Sequence, residues 1–86
     1  MDTHNRIVES IMNEEYKGVV INRYYDVKNH NTPKIVFSNN TEIPIYGQFY
    51  SMVKNGDSIV KKKDESVITV YRGNETIILD NLNVIK

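Results

Sequence analysis

The feature that most constrains this chain is a series of turn signals that begins after Gly18 and recurs about every 8 to 12 residues. Asn29-His30-Asn31-Thr32-Pro33, Asn39-Asn40, Asn55-Gly56, Asp64-Glu65-Ser66 and Gly73-Asn74 each interrupt a segment rich in β-branched and aromatic residues. Asparagine and glycine accept positive φ more readily than other residues, so these points reverse the chain, and the short segments between them suit a pleated sheet. Strands are therefore expected within residues 19–25, 34–38, 41–46, 57–63, 67–72 and 75–79. Pro44 lacks the N–H a sheet ladder needs, which puts its strand at an edge or on a bulge.

Ahead of Gly18 the pattern is different. Ile7, Val8, Ile11 and Met12 recur at helical spacing, with Asp2 or Thr3 as N-cap and Lys17-Gly18 as the stop, predicting an amphipathic helix over residues 2–16. Tyr46, Phe49, Tyr50 and Val53 repeat the helical spacing in a stretch long enough for one or two turns. The expected fold is mainly β: a small OB-like or SH3-like barrel of five to six strands with an N-terminal α-helix and a short helical segment near residues 46–53. Closure is expected because it removes sheet edges that otherwise recruit other chains. The helical segment between the third and fourth strands favours the OB-like order.

At 86 residues the chain is read as a single domain, residues 1–86, with the helix over 2–16 and the barrel over 18–80. It has no cysteine, which excludes disulfides, thiolate metal sites and thiol catalysis. No stretch approaches the ~18 apolar residues of a membrane span, and Met1-Asp2-Thr3-His4-Asn5-Arg6 lacks the apolar run of a signal peptide, so no membrane insertion is expected. The formal charge sums to zero but is uneven: residues 1–16 carry −3, residues 17–63 carry +5 and the remainder −2. The basic middle is where an anionic partner would be drawn.

Two segments, Tyr25-Asp26-Val27-Lys28-Asn29-His30-Asn31-Thr32-Pro33 and Gly56-Asp57-Ser58-Ile59-Val60-Lys61-Lys62, resemble in order and separation a family of small Bacteroidetes-type β-rich proteins. That family carries an Asp-x-x-Asn-His-x-x-Pro segment followed by Gly-Asp-Ser-Ile-x-Lys. The resemblance spans roughly residues 18–72 and implies a small β-rich domain; it supplies no activity, substrate or catalytic residue. Relatives often look like lipoproteins, with an apolar leader and a cysteine before the domain, and this chain has neither. As it stands it reads as cytoplasmic, or as a cell-envelope protein if a leader was removed.

Candidate chemistry is sparse. His30 beside Asp26 has the groups of a base or a ligand, but the only other histidine is His4, far off in the helix, and no spacing suggests converging metal ligands. Asp26, Asn29 and His30 are read as bracing their loop through side-chain hydrogen bonds. Gly56 and Asp57 are read as a turn entering a strand, since no Gly-rich phosphate loop or nucleophile elbow surrounds them. No cofactor, metal or catalytic residue is assigned, and no enzyme activity.

The best functional surface is Lys61-Lys62-Lys63 with Tyr71 and Arg72 on the expected neighbouring strand, extended by Tyr24, Tyr25 and Lys34. Lysines neutralise phosphates and tyrosine faces stack on bases, which is the nucleic-acid reading; edge lysines that only discourage aggregation are the plain one. The leading expectation is a non-enzymatic module that binds a protein, of the kind small inhibitors from phages or mobile elements provide. The alternative is a nucleic-acid-binding barrel using the Lys/Tyr surface.

Overall fold

Side chains alternate between buried and half-exposed through most of the strands, because successive residues of a strand point to opposite faces of the sheet. The computed structural model describes residues 3–84. Its elements are α1 (Thr3–Asn13), β1 (Tyr16–Asp26), β2 (Thr32–Phe37), β3 (Glu42–Pro44), α2 (Gly47–Tyr50), β4 (Ser58–Lys61), β5 (Val67–Arg72) and β6 (Glu75–Asp80), closed by a 3-10 turn at Asn81–Asn83. The fold is mainly β, as the turn spacing predicts. Every neighbouring pair is antiparallel, in the order β3-β2-β1-β4-β5-β6.

The eleven-residue β1 organises the sheet by changing partner half-way. Tyr16–Val19 pair with β4 and Val20–Asp26 pair with β2, with an irregularity at Ile21 between Val20 and Asn22. An extra residue bends and twists a strand locally. At the changeover the main chain is bonded on both sides: Val19 O accepts from Ser38 N–H at 2.9 Å, while Val20 N–H donates to Asp57 O at 2.9 Å and Val20 O accepts from Gly56 N–H at 2.7 Å. The sheet therefore folds over a single core, in which Val20, Ile35 and Phe37 of one half meet Ile59, Ile68, Val70 and Leu79 of the other. Phe49 of α2 and the following Val53 plug the end of that core, each burial stabilising the fold by roughly 1.5–3 kcal/mol.

The expected closure into a barrel does not occur. β3 and β6 are both edges, and no pairing joins them. β3 is only three residues long and ends in Pro44, which has no N–H to offer a further strand. Pro44 thus lies on an edge strand, as expected. No helix among the described residues is long and apolar enough to cross a membrane.

The N-terminal helix is shorter than its periodicity suggests. It stops at Asn13, and Tyr16, Lys17 and Gly18 already belong to β1. Gly18 is not a helix stop: a Cβ there would lie 2.7 Å from the Phe37 ring, so glycine is required for the ring to pack against β1. The helix end is held instead from β4 and the turn after it, through Asp64 N–H to Met12 O at 2.6 Å and Lys61 Nζ to Glu14 O at 2.8 Å. Of the two candidate N-caps, Asp2 and the Thr3 side chain both lie outside the described residues. The second helical segment covers Gly47–Tyr50 rather than the whole of 46–53.

Candidate functional site

The residues expected to form one Lys/Tyr surface are placed in three separate locations. On β1 and β2, Tyr24 stands opposite Lys34; its hydroxyl donates to Glu42 of β3, and that bond pushes the phenol pKa up to about 12. Lys34 pairs with Asp26 at 3.0 Å. Tyr25 lies on the other face, its ring 4.4 Å from that of Tyr50, while the Arg23 guanidinium sits 4.7 Å above the Tyr50 ring and donates to Tyr50 O.

Lys61, expected at the surface, is a core residue with 1% exposure. Its ammonium donates to Glu14 O at 2.8 Å and Lys62 O at 2.9 Å, so the buried charge is spent on two carbonyls. Lys62 and Lys63 are exposed just beyond the end of β4. Tyr71 and Arg72 do lie on the neighbouring strand, but at the far end of it: Tyr71 faces Ser58 whereas Lys61 faces Ile68. Three residues of strand separate those positions, about 10 Å.

Arg72 is likewise engaged. Its Nε donates to Asp57 Oδ1 at 2.8 Å, and its terminal nitrogen donates to Asp57 Oδ2 at 2.8 Å and Met52 O at 3.0 Å. Asp57 is 2% exposed and also accepts from Lys54 N–H at 2.8 Å. The Arg72 hydrogen bonds, assisted by the Lys54 amide and opposed by burial, hold the Asp57 carboxyl below its ordinary value. Gly56 turns the chain into this aspartate with φ +97°, a conformation that other residues rarely adopt.

In the 27–31 loop the bracing is mostly main-chain. Asn29 N–H donates to Asp26 O at 3.0 Å and Thr32 N–H to Asn29 O at 3.1 Å. His30 and Asn31 are exposed with φ of 57° and 58°. Among the described residues no group of three or more His, Cys, Asp or Glu side chains is placed to hold a metal ion.

What the fold does assemble is an apolar outer face on the β1-β4-β5-β6 half. Register aligns Lys17, Val60, Thr69 and Ile78 in one cross-strand row and Val19, Ser58, Tyr71 and Thr76 in the next. Ile78 is 56% exposed, Tyr71 46% and Val19 41%, while Val60 and Thr69 are half-buried between them. Only Tyr71 of this set was singled out from sequence. The signal was present in Val19-Val20-Ile21 and Ile77-Ile78-Leu79: consecutive apolar residues in a strand must place at least one on each face.

A second feature lies between the end of α1 and the β2-β3 end of the sheet. A cavity of about 380 Å³ opens there, walled by Ile11, Pro33, Ile45 and Ile68, with Glu14, Tyr16 and Tyr46 among its polar groups. Glu14 is an exposed residue whose carboxyl is raised somewhat by desolvation and lowered by the charge of Lys61. Burial and then the Glu14 charge raise both tyrosine phenols above their ordinary value. Nothing in the sequence announces this cavity, because its walls come from helix, strands and loop positions far apart in the chain.

Comparison with family models, with curated proteins and with solved structures finds no match.

Proposed function

We propose that this protein is a non-enzymatic protein-binding module that docks through the outer face of its β1-β4-β5-β6 half. The observation that carries the reading is the contiguous set Val19, Val60, Tyr71 and Ile78, three of them strongly exposed on a face where the register lines them up across four strands. Exposed apolar patches with a polar rim mark interaction surfaces, and an exposed tyrosine is a common energetic centre of them. Lys17 at the end of the central row suits a partner that brings an apolar surface and a carboxylate beside it. The Lys/Tyr surface supports nucleic-acid binding less well, since Lys61, Lys34 and Arg72 are already engaged within the chain.

The test is a photo-crosslinking amino acid placed at Tyr71 or, as a control on the other half, at Tyr25, in cells of the native host. A discrete protein adduct from position 71 alone is expected. Ile78→Glu in the same chain should lower its yield about tenfold or more with the fold intact by circular dichroism. Adducts from position 25 only, or an adduct indifferent to Ile78→Glu, would defeat the proposal. Binding to single-stranded DNA that weakens steeply with salt would also defeat it, in favour of nucleic acid.

A further inference from the structure

We propose that the β6 edge pairs with the β6 edge of a second copy of this chain, antiparallel, continuing the sheet about a two-fold axis at Ile78. The inference concerns the edge of the sheet and goes beyond the docking role of its outer face. β6 borders β5 alone and runs six residues in unbroken register. Glu75-Thr76-Ile77-Ile78-Leu79-Asp80 contains no lysine, proline or bulge, the devices that keep an edge from pairing. The other edge, β3, is three residues long and ends in Pro44.

The hairpin fixes which main-chain groups of β6 face outward. Arg72 and Glu75 flank the two-residue turn Gly73-Asn74 and so form a hydrogen-bonded pair; alternation makes Val70 with Ile77 and Ile68 with Leu79 bonded pairs as well. The N–H and C=O groups of Thr76, Ile78 and Asp80 therefore point away from β5. Asn81 keeps the phase, its N–H turning back to Ser66 O at 3.1 Å.

Pairing of two such edges sets outward residues opposite outward residues. The register that engages all three from each copy puts Ile78 opposite Ile78, Thr76 opposite Asp80 and Ile77 opposite Leu79. Apolar residues then meet apolar ones and a hydroxyl meets a carboxylate. No acid faces an acid, because Glu75 falls at the level of Asn81. Such pairs stabilise a sheet, whereas like charges directly opposite destabilise it. The same axis runs the cross-strand row Lys17, Val60, Thr69 and Ile78 straight into its counterpart, so that the two copies present one surface to each other. This self-complementarity is what selects a second copy as the occupant.

Sedimentation equilibrium of the full chain is expected to show monomer passing to dimer as concentration rises through the micromolar range toward about 1 mM. Thr76→Pro removes an outward N–H and no bond to β5. The β5-β6 hairpin is therefore expected to persist by backbone amide NMR while dimerisation weakens about tenfold or more. Two variants that keep every main-chain group probe the register. Thr76→Lys sets a cation opposite Asp80 and is expected to tighten the dimer about threefold or more, and Thr76→Asp to weaken it by a similar factor. A monomer at every concentration up to about 1 mM, a dimer indifferent to Thr76→Pro, or shifts of one sign in Thr76→Lys and Thr76→Asp would each overturn the inference. All three variants leave Val19, Val60, Tyr71 and Ile78 in place, so crosslinking from position 71 reads the docking face separately.

Discussion

Asp57 gathers more polar contacts than any other acid described in this fold, accepting from Lys54 N–H and from two nitrogens of Arg72 while almost fully buried. Because the folded-state pKa is lowered, its stabilisation is complete above the unfolded carboxyl value of about 3.9 and is lost as pH falls through the folded value. Asp57→Ala leaves the Lys54 amide without its acceptor and is expected to destabilise the protein by about 2 kcal/mol at neutral pH. In urea unfolding the gap between variant and wild type should narrow as pH falls below the unfolded carboxyl value of about 3.9 towards the lowered folded one. A gap that stays constant into acid would mean that the charge of Asp57 contributes nothing.

Gly18 is the second residue on which the packing turns. Gly18→Ala drives a methyl into the Phe37 ring and is expected to cost about 2 kcal/mol, the range for overpacking a tight contact. If the clash is the cause, Gly18→Ala combined with Phe37→Leu should be less destabilising than the two single changes summed, as a double-mutant cycle would show. Additive effects would place the cost in backbone propensity instead.

At the scale of elements, β1 is the one on which the others depend. It bonds to β4 over its first part and to β2 over the rest, and its main chain is tied on both sides at Val19 and Val20. By contrast α1 buries one described side chain, Ile11, and is held at its end by contacts from Lys61 and Asp64. Amide hydrogen exchange should therefore be slowest at Val20, at Phe37 opposite it in β2 and in the central strand β4, and faster throughout α1, which opens without unfolding the sheet. Equal protection in α1 and β1 would show that helix and sheet unfold as one unit. The two edges also differ in kind. β3 is short and stopped by Pro44, whereas β6 is six residues long and carries the most exposed isoleucine among the described residues, Ile78, on the proposed docking face.

For the molecule as a whole, the sequence by itself determined the mainly β class, the six strands, the positions of the hairpin turns and the edge placement of Pro44. These rest on local causes: positive φ at Asn40 and Gly56, the missing N–H of proline, and runs of β-branched residues. Only the tertiary structure decided that the sheet stays open, that Lys61 is buried, that Arg72 is committed to Asp57, and that Tyr71 joins Val19, Val60 and Ile78. Each of these depends on which residues face one another across strands distant in sequence, and a one-residue change of register would move every side chain to the opposite face. The outer face was half legible, since adjacent apolar residues in Ile77-Ile78-Leu79 require one to point outward, but its partners across β1, β4 and β5 were not. The cavity was not legible at all. Its walls come from the end of α1, from β1, β2, β3 and β5, and from the segments after β3 and β6, positions that only the folded chain brings together.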